Sequence, residues 1–333
     1  MPTAFLTGGT GFLGGHVARA LLAEGWTLRA LARERPRRRD ALSDLVVQRI
    51  SGDLTRSADL ARASAGCDAI VHAAGLVKAR TLEDYRDVNA RGTQRLVEAA
   101  RETAPNALFL FVSSQAAAGP ARDGRPVAEG DPARPISWYG ISKREGEKAV
   151  ERVWKGPWIV LRPGVLYGPG DPGLLAYFRM AASGWLPVPA GASRIQIGSA
   201  EQAALAIALA ARRRDLAGRA GFVCDPGPIT VGALAAEIAR LPRRAARLVP
   251  LPAALVRLAG LLETVRESAT RRSRLFNADK AKEILAGDWV CDSSPMRGDL
   301  ALPPPIPLAE GLRATWEWYL RAGWIRPSRR EKV

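Results

Sequence analysis

The 333-residue sequence holds two histidines and three cysteines, and no apolar run approaches the roughly 18 residues that span a bilayer. Cys67, Cys224 and Cys291 are odd in number and far apart along the chain, which argues against a disulfide framework or a Cys-x-x-Cys metal site. No metal is expected, and the cysteine usage fits a reducing cytoplasm. The first residues run directly into AFLTGGTGFLGG, without the basic and apolar regions of a signal peptide, so a soluble cytoplasmic protein is expected. Acidic residues are also scarce, 33 against 49 Lys and Arg, a formal charge of +16. That excess favours anionic ligands or surfaces. The arginines are scattered and no nucleic-acid-binding module accompanies them, so nucleic acid is not an expected partner.

Short apolar runs alternate with helical spacing through the first half. TAFL, TLRALAR, VVQRISGDL, CDAIVHAAG, ALFLFVSS and WIVLRPGVLYG read as strands, while GGHVARALLAEGW, SADLARASAG and NARGTQRLVEAARETA read as helices. Alternation of this kind predicts an α/β fold, a Rossmann-type doubly wound parallel sheet. Beyond about Gly170 proline and glycine become denser and the alternation loosens. The expected division is a dinucleotide-binding, catalytic part over residues 1–170 and a mainly substrate-binding subdomain over 171–333, with GRAGFVCD returning to the sheet.

LTGGTGFLGGHV places Gly8, Gly11 and Gly14 between a strand and a helix. Glycines there let backbone approach a pyrophosphate, and the helix N-terminus offers free N–H groups and partial positive charge. Gly8, Thr10, Gly11, Phe12, Leu13 and Gly14 are therefore the expected cradle. After the second strand, an acid would bind ribose hydroxyls and an arginine the 2′-phosphate. The residue there is Arg33, followed by Arg35, Arg37, Arg38 and Arg39, so NADP is preferred over NAD. Asp53 and Leu54 are expected beside the adenine, and Ala73, Ala74 and Gly75 at the cofactor end of the fourth strand. His72 reads as a packed strand histidine.

Tyr139 and Lys143 stand four apart in YGISKREGEKAVERV, on one face of an expected helix. A phenol is a poor acid or base near neutrality unless its anion is favoured, and a nearby ammonium does that by stabilising the phenolate. A serine hydroxyl at the end of the preceding strand, Ser113 or Ser114, would hold the substrate oxygen.

With TGGTGFLG, GDL, HAAG, DVNARGT, VSSQAAAG, YGISK, RPGVLYGPGD and LAEGLRATWEWYLRAGW in that order, the chain resembles the extended short-chain dehydrogenase/reductase superfamily. Its flavour is that of 3β-hydroxysteroid dehydrogenase and dihydroflavonol reductase-like members. The resemblance implies Tyr139 as general acid/base and Lys143 as the residue that binds the nicotinamide ribose and lowers the phenol pKa. It implies Ser114, five before Gly119, as the residue that polarises the substrate, Asn89 as the one orienting the active-site helix, and Pro163 beside the nicotinamide. It also implies a homodimer.

Two departures narrow the chemistry. Dehydratases of this branch carry an Asp-Glu pair where this chain has Gln115 and Ala116, and the usual HVDDLA-type segment is replaced by GSAEQ at 198–202. The expected activity is interconversion of a small-molecule carbonyl and a secondary alcohol. A nucleotide-sugar epimerase using NAD and a non-catalytic dinucleotide-binding sensor or assembly subunit are the alternatives. Tyr177, Phe178 and Trp185 are candidate pocket walls, with core packing the competing role. The basic amphipathic stretch 251–276 suits a membrane surface, a pocket cover or a subunit contact, with packing favoured over membrane.

Overall fold

A computed structural model describes residues 1–33 and 40–326. Seven parallel strands form the central sheet: β1 (Thr3–Thr7), β2 (Thr27–Ala32), β3 (Gln48–Ser51), β4 (Ala69–His72), β5 (Leu108–Val112), β6 (Trp158–Pro163) and β11 (Arg219–Val223). Their spatial order is β3-β2-β1-β4-β5-β6-β11. The order reverses between β1 and β4, which opens a crevice at the carboxyl ends of the strands.

Strand alternation explains the two layers. In β5, Leu108, Leu110 and Val112 face one apolar core with the helices Phe12–Ala23 and Ala200–Ala210, while Phe109 and Phe111 face the other. That second core is closed by the helices Ser57–Ser64, Gly92–Thr103 and Trp138–Val153. Both faces are covered, as a parallel sheet requires.

The strand expected over WIVLRPGVLYG is divided at Gly164. After Pro163 the chain leaves the sheet as β7 (Val165–Tyr167) and pairs with β10 (Ile197–Ser199). A Cβ on Gly164 would lie 2.7 Å from the Gln196 carbonyl, so glycine permits this crossing. The VVQRISGDL strand is likewise shorter than its apolar run, because Val46 is 93% exposed before β3 begins. The remaining strands pair as β8 (Trp185–Pro189) with β13 (Arg247–Leu251) and β9 (Arg194–Ile195) with β12 (Ile229–Thr230). A third core of Tyr167, Phe178, Leu186, Ile238, Leu312, Trp316 and Tyr319 holds this second half together. Phe178 is fully buried in it, packed on Trp316 and Tyr319, and so forms no pocket wall. Trp185 is 55% exposed beneath the Arg247 guanidinium.

Candidate active site

The glycine loop is constrained by contact as well as conformation. Gly8 has φ +80°, and a Cβ there would meet Ala74 N at 2.6 Å, which joins the loop to the Ala73–Ala74 end of β4. A Cβ on Gly14 would stand 2.0 Å from the Gly8 carbonyl oxygen. Helix and loop can therefore touch only through glycine. No side chain caps the N-terminus of the Phe12–Ala23 helix, and its first turn has no acidic residue. Uncapped N–H groups over a backbone cradle fit the pyrophosphate of a dinucleotide.

Around this loop, Phe12 stands edge-on to His16, whose Nε2 lies 2.9 Å from the Pro169 carbonyl. Thr10 and Leu13 are half-buried. Arg33 follows β2 directly and is exposed. Arg35, Arg37, Arg38 and Arg39 lie outside the described residues, as does the tail from residue 327. The Asp53 carboxylate accepts the Thr55 N–H at 3.0 Å, and Leu54 packs against Gly92. Pro163 is buried at the carboxyl end of β6. His72 is fully buried between Thr7 (2.6 Å) and Thr93 (2.9 Å), and burial, with Lys143 adding to it, pushes its pKa down to about 3. It is a neutral packing residue.

Tyr139 and Lys143 lie on the first turns of the Trp138–Val153 helix, which Ser137 caps through the Gly140 N–H at 3.1 Å. The two adjacent serines face different partners. The Ser113 hydroxyl donates to Glu147 Oε1 at 2.6 Å, whereas the Ser114 hydroxyl accepts the Ala116 N–H at 3.1 Å and faces Tyr139, whose pKa it lowers. Tyr139 is half-buried within a rim of protein. Burial raises its pKa to about 12, Glu283 adds to the rise, and the Ser114 hydroxyl opposes it.

Lys143 is aimed at the sheet. Its Nζ donates to the Val112 carbonyl at 2.7 Å and sits 4.2 Å from the Phe111 ring centroid. Burial pushes its pKa down to about 7, against an opposing pull from Glu147. The Lys143 amine is thus directed at β5, and burial holds the Tyr139 phenol above its ordinary value.

Asn89 lies in a π-helical turn, Asp87–Arg91, a local widening frequent at functional sites. Its amide accepts the Leu76 N–H at 2.7 Å and donates to the Leu76 carbonyl and to Ser142 Oγ, at 3.0 and 2.9 Å. Ser142 in turn donates to the Tyr139 carbonyl at 2.8 Å. Gly146 lets the helix pass this turn, since a Cβ there would meet the Asn89 carbonyl at 2.6 Å. Gly75, Asn89 and Lys143 converge: a Cβ on Gly75 would lie 3.1 Å from Asn89 Oδ1 and 3.8 Å from Lys143 Nζ.

Sequence reading missed the support beneath the helix and the cover above it. Buried Glu147 accepts two bonds from Arg162, at 2.9 and 2.8 Å, with Ser113 and Arg144 completing its shell. Burial raises the Glu147 pKa, but these partners together outweigh it and hold the carboxyl ionised. The signal was its spacing, one turn beyond Lys143 on the same face. Above Tyr139, a cavity of about 30 Å³ is lined by Val77, Tyr85, Leu275, Asp279, Lys280 and Glu283, among others. These come partly from the link after the Ala253–Thr270 helix and from the short helix Ala278–Ile284. Asp279 accepts the Trp138 N–H at 3.0 Å, which ties the cover to the start of the catalytic helix. Nothing in the sequence pattern linked residues 274–283 to Tyr139.

A larger cavity, about 300 Å³, lies elsewhere between Gln196, Pro228, Cys291 and Ser293 and contains none of the predicted site residues. Beside it Cys224 and Cys291 approach to 3.5 Å between sulfurs, so two cysteines distant in sequence are neighbours in space. Gln115 is buried, with its Nε2 unpartnered. Among the described residues no group of three or more His, Cys, Asp or Glu is placed to hold a metal ion, and no helix is long and apolar enough to cross a membrane.

Residues 4–219 match the model of the NAD dependent epimerase/dehydratase family. The chain is 36% identical to the ceramide reductase of Caulobacter vibrioides over 325 residues, covering 96% of this chain and 95% of that protein. It is 25% identical to the UDP-glucose 4-epimerase of Vibrio cholerae, covering 97% of each. A solved complex of UDP-glucose 4-epimerase from Thermus thermophilus with NAD superposes with a TM-score of 0.74 at 21% identity, covering 95% of this chain and 98% of that one. Matched along the chain by family, relative and fold, this protein belongs to the NAD dependent epimerase/dehydratase family, within the extended short-chain dehydrogenase/reductases.

Proposed function

We infer that the chain is a nicotinamide-dependent carbonyl reductase that converts a ketone on a long-chain, ceramide-like lipid into a secondary alcohol. The observation that carries this reading is the placement of Ser114 against Tyr139, with buried Lys143 one helical turn further on. Similarity to a ceramide reductase over nearly the whole chain supports the substrate class.

Gly8, Thr10, Gly11, Phe12, Leu13 and Gly14 hold the pyrophosphate, Asp53 and Leu54 the adenosine end, and Ala73, Ala74, Gly75 and Pro163 the rest of the dinucleotide. Arg33 favours NADP through the 2′-phosphate. A bound reduced dinucleotide supplies the hydride. Ser114 holds the substrate oxygen by its hydroxyl. Tyr139 gives its proton to that oxygen as the carbonyl carbon gains hydride, so the C=O π bond becomes a C–O–H group. The Tyr139 phenol is protonated at neutral pH, as a proton donor to the ketone must be, and it needs its anion stabilised as the proton leaves. Lys143 would hold the nicotinamide ribose and, with the cofactor in place, favour the phenolate left behind. Asn89 fixes the helix through Ser142.

A cavity of about 30 Å³ admits little more than a water molecule, so the 274–283 cover must shift for substrate to reach Tyr139. Residues 171–333 thereby act mainly as the substrate-binding part.

The test mixes purified protein, NADPH and a ceramide bearing a ketone in detergent, and follows nicotinamide absorbance. Wild type consumes NADPH and forms the alcohol. Tyr139→Phe loses about 10³-fold in kcat while cofactor affinity stays within a few-fold. Normal turnover in that variant refutes the assignment.

A further inference from the structure

The Ala253–Thr270 helix turns its apolar side away from the protein. Leu255, Leu258, Leu261, Leu262 and Val265 are 49–61% exposed. At about 100° per residue they share an arc of about 120°, and the buried residues Val256, Gly260 and Glu267 lie on the opposite side. Gly260 is where the helix meets its neighbour: a Cβ there would stand 2.7 Å from Ala281 Cβ. The exposed stripe is thus no by-product of fraying, because the inward face is fixed.

Charge identifies what the stripe faces. Arg257 is exposed beside it, Arg271 and Arg272 are exposed just past the helix C-terminus, and none of the three forms an ion pair with a described acidic side chain. The helix's own acids point elsewhere. Glu263 pairs with Arg266 and Arg274, and Glu267 is buried, receiving the Arg274 N–H and the Asn277 amide. A second copy packed on this stripe would bring like-charged rims together. An apolar face with an unpaired basic rim complements a bilayer carrying anionic phospholipid.

We propose that the Ala253–Thr270 helix docks the protein in the interface of an anionic membrane, with its leucines in the acyl boundary and Arg257, Arg271 and Arg272 on the headgroups. The same helix runs directly into residues 274–283, the cover over Tyr139, so docking sets that cover against the lipid phase. The docking itself is independent of the redox reading; the delivery of a lipid ketone rests on it.

Flotation of the full chain with phosphatidylcholine vesicles, and with vesicles also containing phosphatidylglycerol, tests this. Wild type floats with the mixed vesicles and is released by salt. Leu258→Asn/Leu262→Asn binds at least about tenfold more weakly, and Arg271→Gln/Arg272→Gln loses about fivefold per arginine, both with unchanged thermal melts. Equal partition to both vesicle types, or no flotation, overturns the proposal. So does a wild-type dimer, seen by light scattering, that the leucine variant dissociates while flotation is unaffected, since a second copy then covers the stripe. Flotation needs no turnover, so a failed reductase assay leaves this result readable.

Discussion

Arg162 and Lys143 are both buried cations at the sheet side of one helix, and the protein treats them oppositely. Arg162 meets the Glu147 carboxylate through two bonds, at 2.9 and 2.8 Å, with Ser113 and Arg144 filling the remaining acceptor sites. Lys143 has only the Val112 carbonyl and the Phe111 ring. The first environment keeps both charges; the second pushes the lysine pKa down to about 7. The satisfied pair fixes the helix on β5 and β6, while the under-satisfied lysine keeps a proton that moves readily near neutrality. Rigidity and reactivity are separated by one helical turn.

Breaking the satisfied pair has the largest expected effect. Glu147→Ala leaves Arg162 buried without its carboxylate, and denaturant melts should show a loss of about 3–5 kcal/mol. Lys143→Met acts in the other direction. Between pH about 7 and about 10 the unfolded wild type binds more protons than the folded one, so wild-type stability rises with pH across that window. The methionine variant lacks this dependence. Its Tm should exceed wild type by several degrees below pH 7, with the margin shrinking towards pH 10.

The adjacent serines sharpen the contrast. Ser113→Ala removes a donor to a buried carboxylate and should destabilise by about 1.5–3 kcal/mol with kcat retained. Ser114→Ala loses its cap on the Ala116 N–H, about 1 kcal/mol, and should lose about 10²-fold in kcat. An exchange of these two outcomes would reverse the assignment. Smallest is the change at the third cation, exposed Arg33. Arg33→Asp should shift the NADPH to NADH preference in kcat/KM about tenfold towards NADH.

The parallel sheet and glycine loop were legible because their signals are local: apolar runs of strand length, and glycines between a strand and a helix. Tyr139 and Lys143 were legible by helical spacing. The electrostatics were not, because where Lys143 Nζ points depends on the Val112 carbonyl, 31 residues earlier in the chain. The cover was illegible for the same reason, as Asp279 meets Trp138 across 141 residues. The meeting of Cys224 and Cys291 is also a product of tertiary packing. Gly164 shows the limit for strands: the single strand read over WIVLRPGVLYG concealed a change of sheet.

The most direct measurement is the fate of deuterium placed at C4 of the reduced nicotinamide, read by mass spectrometry after turnover of the ketone-bearing ceramide. Net reduction with Tyr139 as proton donor predicts one deuterium on the carbinol carbon of each alcohol formed and stoichiometric oxidised cofactor. Inversion of a carbinol centre with no net cofactor oxidation would contradict it and place the chain among the epimerases.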